Sequence, residues 1–189
     1  RAGMAAVHLE DQVFPKRCGH MENKAVIPME EHVEKIRAAV EARDEMLIIA
    51  RTDSRATDGI DEALRRLEAY RDAGADIIYA DALRSVEMKM VCSIPGVYKF
   101  GNQVENGKSP TLTFQELEDI GYNIVIYPVG TCFIAASAMK KMLTQLKTDQ
   151  TNANIIKEMD PNIFSEFTSI VGLPELQARE AKFHTYDYR

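Results

Sequence analysis

Between Glu10 and His20 the chain gathers a carboxylate, two adjacent cations, a thiol and an imidazole: Glu10, Lys16, Arg17, Cys18 and His20. Cations beside a cysteine favour its thiolate, the form that reacts. Gly19 removes a side chain next to the sulfur and lets backbone approach a ligand, while His20 can add a hydrogen bond or a positive charge. These residues predict a reactive cysteine presented on a loop. An inert cysteine would sit instead in apolar surroundings.

Composition bounds what such a loop can serve. At 189 residues and 46% hydrophobic content the chain can bury a substantial core, enough for one domain and hardly more. A net charge of -6 and the lack of a long Lys/Arg cluster exclude a general nucleic-acid binder or a ligand of anionic membranes. A small anion held in a local cationic pocket fits. Cys18, Cys92 and Cys132 form an odd, widely spaced set, which suits a reducing compartment and predicts a cytoplasmic protein. No apolar run approaches the length of a membrane span and no leader precedes a cleavage site, although the chain starts at Arg1 without an initiator methionine.

The elements that must position the loop alternate. Residues 5–9 read as a short buried strand delivering Glu10, and residues 11–27 as a long functional loop. Met29, Val33, Ile36 and Val40 share one face of a helix over 28–43, with Glu30 and Glu31 in its first turn. The apolar run 46–50 leads into Arg51, Thr52 and Asp53. Ile60, Ala63, Leu64 and Leu67 mark the next helix, which Gly74 ends, and 76–80 is a strand. Ser85 can cap a short helix, 97–101 is a strand, 102–111 a loop, and Thr113 with Glu116 has capping-box spacing. Residues 124–127 form the fifth strand and 133–146 the helix after it. Short buried strands alternating with amphipathic helices predict a parallel sheet in an α/β domain.

Polar residues recur at the carboxyl ends of these strands: Glu10, Arg51 with Asp53, Asp81, and Asn102 with Glu105. In a β/α barrel that rim is where active sites form. After Thr148 the pattern becomes a polar linker and two helical segments, 162–171 and 174–183, parted by Gly172. The stripe Phe164, Phe167, Ile170 and Val171 predicts packing, within the chain or between subunits. Cys92 and Cys132 are assigned to packing, His8 to a satisfied core position, and His32 and His184 to solvent; Tyr186, Tyr188 and Arg189 form a tail without a chemical signature.

The motifs Glu10-Asp11-Gln12, Pro15 to His20, Ala50-Arg51-Thr52-Asp53, Gly74-Ala75-Asp76, the loop 102–110, Ile126-Tyr127-Pro128 and Val171-Gly172-Leu173-Pro174-Glu175 together resemble the isocitrate lyase and phosphoenolpyruvate mutase superfamily. Within it, the cysteine loop is similar to the branch of 2-methylisocitrate lyase, 2,3-dimethylmalate lyase and oxaloacetate hydrolase. The resemblance implies a TIM-type (β/α)8 barrel of which residues 1–148 match strands four to eight and residues 149–189 a C-terminal helical extension swapped between subunits. Three preceding βα units of the family, which carry its most direct Mg²⁺ ligands, have no counterpart in the sequence given.

The resemblance also implies roles. Cys18 resembles the acid that protonates the enolate left by carbon–carbon cleavage, with Lys16, His20 and Arg51 as its catalytic partners. Arg51 resembles the arginine that clamps a substrate carboxylate. Arg17, Gly19, Asp81, Asn102 and Pro128 fall at substrate-binding positions, and Glu10 resembles an acidic residue that helps hold Mg²⁺ (or Mn²⁺) through water. Asp81 departs from the glutamate usual in the family, which shortens its reach by one methylene and puts a hydrogen bond or a water-mediated metal contact there in question. The implied reaction is Mg²⁺-dependent cleavage of a 2-hydroxy di- or tricarboxylate to a 2-oxo acid and a second carboxylic acid. Two alternatives stand beside it: hydrolysis of oxaloacetate to oxalate and acetate, and an inactive truncated relative that only binds or assembles. The expected partners are a small carboxylate and further copies of the chain, as a homodimer or homotetramer, with no nucleic acid and no membrane.

Overall fold

The computed structural model describes residues 3–183, so His184 and the tail residues Tyr186, Tyr188 and Arg189 lie outside the described residues. The five strands predicted from the sequence are all present, as β1 (Ala6–Glu10), β2 (Leu47–Thr52), β3 (Ile77–Ala80), β4 (Tyr98–Asn102) and β5 (Ile124–Ile126). They form one parallel sheet in chain order. Helices α1 (Met29–Ala42), α2 (Ser54–Thr57), α3 (Ile60–Asp72), α4 (Ser85–Cys92), α5 (Phe114–Ile120) and α6 (Gly130–Asp149) intervene or follow. Successive parallel strands joined by helices are the architecture of a TIM-type barrel, here five strands of it.

Strand alternation decides what each side chain does. The even residues Ile48, Ala50, Ile78 and Ala80 face the helices and pack with Ile36, Leu67, Tyr70, Met88, Val91 and Leu117 into the main core. Burying such a side chain is worth about 1.5–3 kcal/mol, so this layer carries the fold. The odd residues Ile49, Ile77 and Tyr79, with Phe100, form a second, smaller cluster on the opposite face. Continuing the odd register upward brings Arg51, Asp53 and Asp81 to the strand ends, and Glu10 of β1 lies in register beside Arg51.

Only β2 and β3 are the buried strands expected. In β1, Val7 is exposed, and Ile124 and Ile126 are exposed in β5, because each of these outer strands has one pairing neighbour among the described residues. Placement on β1 also overturns the core assignment of His8, which is exposed. His32, expected in solvent, is completely buried. It lies on the face of α1 that carries Ile36, with its ring edge-on to Tyr70 at 4.7 Å between centroids. The periodicity of α1 was legible, but a histidine at a core position four residues before Ile36 escaped an apolar-only count.

Local signals held at α5, where Thr113 Oγ1 accepts from the Glu116 N–H and Glu116 Oε2 accepts from the Thr113 N–H at 2.8 Å. At α4 the cap is not Ser85, which is already helical. Glu87 Oε2 instead accepts from the Arg84 N–H at 2.7 Å.

The chain divides into two compact units, residues 1–132 and 133–189. The second holds the rest of α6, then α7 (Ala153–Glu158) within the stretch expected as a polar linker, α8 (Ile163–Ile170) and α9 (Leu173–Phe183). Along α8, Phe164, Phe167 and Ile170 are exposed, as is Val171 just beyond it. Cys92 packs against the main core, and burial pushes its thiol up to about 11. Cys132 is exposed, so its assignment to packing does not hold.

Candidate active site

The site grows from the last residues of three neighbouring strands. In register, Glu10 lies beside Arg51 and Arg51 beside Tyr79, so these side chains leave the sheet on the same face. Arg51 is the centre. Its Nε donates to Asp53 Oδ2 at 2.8 Å and its Nη2 to Asp53 Oδ1 at 3.0 Å, while Nη2 also reaches Asp81 Oδ2 at 2.7 Å. Glu10 Oε2 stands 3.3 Å from Nε. The planar fork suits this bidentate use. Nη1 donates to no described residue, which leaves one edge of the guanidinium for a ligand.

Buried carboxylates do not stay ionised without such pairing. Burial raises the Asp53 carboxyl despite the pull of Arg51. At Asp81 burial works in the same direction but is outweighed by hydrogen bonding from His20 and the charge of Arg51, which hold the carboxyl below the usual carboxylate range. Asp81 also accepts from Tyr79 OH at 2.9 Å and from the Ala82 N–H at 2.9 Å.

The cysteine loop is seated on this cluster by Gly19. A Cβ on Gly19 would fall 1.7 Å from Asp81 Oδ2 and 2.8 Å from Arg51 Nη2, so only glycine lets the backbone lie there. The close backbone approach that Gly19 permits here is to the chain's own carboxylate and guanidinium. Next to it, His20 Nδ1 accepts from the Lys108 N–H at 2.9 Å. That contact assigns the ring proton to Nε2, which faces Asp81 Oδ1 at 3.4 Å. Cys18, one residue before Gly19, is exposed at the rim.

The remaining predicted residues divide. Lys16 pairs with Glu10 at 2.8 Å, so part of its charge is spent on the rim carboxylate. Arg17 is held through its backbone, not its side chain: Gln12 Nε2 donates to its carbonyl at 2.8 Å and Gln12 Oε1 accepts from its N–H at 2.9 Å. Asn102 joins the cluster, with Nδ2 2.6 Å from Tyr79 OH. Pro128 is exposed beyond β5 and is not brought to Arg51 by any described contact.

Three contributors escaped the sequence reading. Tyr79 is buried two residues before Asp81, so strand parity was the available signal. Gln12 was quoted in a motif but given no role. Asp11, also quoted, is completely buried and accepts from Thr52 Oγ1 at 2.7 Å, the Asp53 N–H at 2.9 Å, Arg66 Nη1 at 3.0 Å and Tyr70 OH at 2.8 Å. It ties the start of the cysteine loop to the end of β2.

Mg²⁺ demands hard oxygen ligands in a near-octahedral shell. Asp53 and Asp81 give their oxygens to Arg51, and Glu10 is shared between Lys16 and Arg51. Among the described residues no group of three or more His, Cys, Asp or Glu is arranged to hold a metal. The described donors therefore do not make a Mg²⁺ site by themselves.

Comparison with known proteins joins this geometry to a family. The sequence pattern of phosphoenolpyruvate phosphomutase matches residues 1–147. A 2,3-dimethylmalate lyase of Eubacterium barkeri is 46% identical over 189 residues, which cover 98% of this chain and 64% of that protein. The solved structure of an oxaloacetate acetylhydrolase with the inhibitor 3,3-difluorooxalacetate superposes with a TM-score of 0.83 at 30% identity, covering 97% of this chain and 63% of that one. A phosphonopyruvate hydrolase in complex with oxalate and Mg²⁺ superposes with a TM-score of 0.77 at 27% identity, covering 97% and 64%. The chain thus spans less than two thirds of the length of each of these relatives. Over that span, with the pattern match covering most of its residues, the chain belongs to the phosphoenolpyruvate phosphomutase family.

Proposed function

We propose that the protein carrying this chain is a carbon–carbon lyase that cleaves a 2-hydroxy di- or tricarboxylate of the 2,3-dimethylmalate or 2-methylisocitrate type. The observation that carries this reading is the seat of Gly19 against Arg51 and Asp81, which brings a cysteine loop to a carboxylate-binding arginine. The identity to a protein named 2,3-dimethylmalate lyase supports it.

In this reading Arg51 Nη1 and the loop donors bind a substrate carboxylate, and Asp81 holds Arg51 and His20 in place for it. The substrate hydroxyl gives up its proton to solvent as the adjacent C–C bond breaks, leaving a 2-oxo acid and a carboxylate-stabilised enolate. Cys18 delivers a proton to the enolate carbon as general acid, and the thiolate regains one from solvent, so protons balance. Lys16 keeps Glu10 in position, and Gly19, Arg17 and Asn102 shape the binding site. Mg²⁺ is proposed as the cofactor, supported by the oxalate and Mg²⁺ complex of the hydrolase relative; no step above runs through it. Glu10 is the described residue proposed to meet that ion, through water.

The experiment is a Mg²⁺-supplemented assay of the protein with 2,3-dimethylmalate, 2-methylisocitrate and oxaloacetate, repeated with Cys18→Ser. Release of a 2-oxo acid that falls by about 10²–10⁴-fold in Cys18→Ser, with oxalate still bound, supports the lyase. Undiminished turnover in Cys18→Ser sinks the assigned acid. Oxalate produced from oxaloacetate marks the second reading, a hydrolase, which the superposition on an oxaloacetate acetylhydrolase favours.

Self-association is proposed as well, from the exposed stripe of α8, where Phe164 is 80% and Ile170 83% exposed. Sedimentation should return a dimer or tetramer, and a monomer at micromolar concentration contradicts it. Three free cysteines support the proposed cytoplasmic location. No described helix is long and apolar enough to cross a membrane.

A further inference from the structure

Lys24 has no role in the site described so far, yet its side chain reaches back into the cysteine loop. The ammonium donates to the Gly19 carbonyl at 2.5 Å and to the Met21 carbonyl at 2.9 Å. The Met21 N–H in turn donates to the Cys18 carbonyl at 2.9 Å. Cys18 to Met21 is therefore a closed turn, and Lys24 clasps it from one side. Reaching back five residues needs a reversal of the chain, which Asn23 supplies with φ of 60°, a left-handed conformation that asparagine adopts more readily than most residues.

Lys24 is half-buried, and both of its hydrogen-bond acceptors are backbone carbonyls. Glu22, two residues before it, is paired instead with Lys108 at 2.5 Å. The lysine thus serves the backbone of the loop and not a surface ion pair. What it fixes is the direction of a peptide plane, because in a trans peptide the carbonyl and the following N–H point opposite ways. With the Gly19 carbonyl on Lys24, the His20 N–H points away from Lys24. With the Cys18 carbonyl turned to Met21, the Gly19 N–H points out of the turn. Neither N–H donates to a described residue, and both belong to the segment that rests on Arg51 and Asp81.

Successive free N–H groups beside a guanidinium are equipped to receive an anion. A charged donor on the Gly19 carbonyl also polarises that amide, which makes the His20 N–H a stronger donor. We infer that Lys24 is a positioning residue for the reaction: by clasping the Gly19 and Met21 carbonyls it holds the Gly19 and His20 N–H groups in the orientation that receives a substrate carboxylate. It touches no reacting atom itself. The inference rests on the lyase reading for the identity of the substrate class, and adds to it the residue that aims the loop donors.

The test reads binding, so it does not depend on turnover. The dissociation constant of oxalate, a small dicarboxylate, is measured by calorimetry with Mg²⁺ present on the protein carrying this chain. It is then measured on Lys24→Met, which removes the donor, and on Lys24→Arg, which keeps a charged one. Lys24→Met should weaken oxalate binding about tenfold, with the melting temperature within about 3 °C of wild type, and Lys24→Arg should recover most of the affinity. Should Lys24→Met fail to fold, Lys24→Gln takes its place, with the same loss expected. Unchanged oxalate affinity overturns the inference, as does a loss that Lys24→Arg does not recover. A larger fall in melting temperature overturns it too, because the residue then serves the fold and not the donors. So does the absence of oxalate binding in wild type. Failure of the lyase reading shows up separately, as absence of cleavage in the assay above while oxalate affinity still responds to Lys24→Met.

Discussion

Two buried charge clusters meet at the end of β2, on opposite faces of the same strand. On the helix side, Asp11 collects Thr52, Arg66, Tyr70 and the Asp53 N–H, and Arg66 Nη1 also donates to the Ile27 carbonyl at 2.9 Å. On the other side, Arg51 collects Asp53, Asp81 and Glu10. The first network is closed, with several donors converging on one completely buried carboxylate. The second is open: Arg51 Nη1 and Asn102 Oδ1 have no partner among the described residues, and Cys18 stands exposed beside it. A saturated buried network stiffens its surroundings, whereas one with directed groups left over is equipped to bind. Asp53 couples the two, giving its backbone N–H to Asp11 and its carboxylate to Arg51.

If the contrast is right, changes on the two sides must separate stability from activity. Asp11→Ala should have the largest effect, taking from buried Arg66 one of its two carboxylate partners, the other being Glu62, and from two hydroxyls and an N–H a shared acceptor, at a cost of about 3 kcal/mol in urea denaturation. A loss under ~1 kcal/mol would show that the helix-side cluster is not what holds the loop base.

Gly19→Ala should do the reverse. Its new methyl meets Asp81 and Arg51, so the loop must lift off, and kcat/KM should fall about 100-fold, equivalent to ~2.7 kcal/mol. Because the displaced loop is mostly exposed, the melting temperature should change little. A stable, fully active Gly19→Ala would break the link between the seat of the loop and the chemistry.

A smaller effect belongs to pH. Burial holds the His32 imidazole below its ordinary range against the opposing pull of Asp11, so the folded state keeps it neutral while the unfolded chain takes up a proton. Stability from this residue is present above the ordinary histidine range and is lost as pH falls through that range. His32→Phe should flatten the decline in melting temperature between pH 7.5 and 5; an unchanged slope would assign that decline to other groups. The smallest change is the control outside both clusters: Thr113→Ala at the exposed cap of α5 should cost ~1 kcal/mol and leave activity intact.

Much of this was legible along the chain because it depends on neighbours in sequence. The capping box at Thr113 and Glu116 needs only a spacing, and α1 and α3 are written in their apolar periods. The loop from Lys16 to His20 raised the expectation of a reactive cysteine through composition alone. What escaped were residues whose meaning depends on a distant partner. His32 looked solvated because nothing nearby in sequence tells that Tyr70 will meet its ring, and Asp11 was given no role because its partners sit 41 to 59 positions away. Tyr79 read as one more apolar residue in a strand until its hydroxyl met Asp81 and Asn102.

The division has a physical reason. Strand and helix propensity, capping and the order of elements arise from local backbone sterics and hydrophobic period, so the sequence by itself determined an alternating α/β chain with polar residues at its strand ends. Which of those polar groups pair, which proton goes where, and which donors and acceptors remain free depend on strand register and on desolvation across long separations. Tertiary structure alone decided that Arg51 is held by three of the chain's own carboxylates, that Gly19 rests upon them, and that Asn102 keeps its oxygen unpaired.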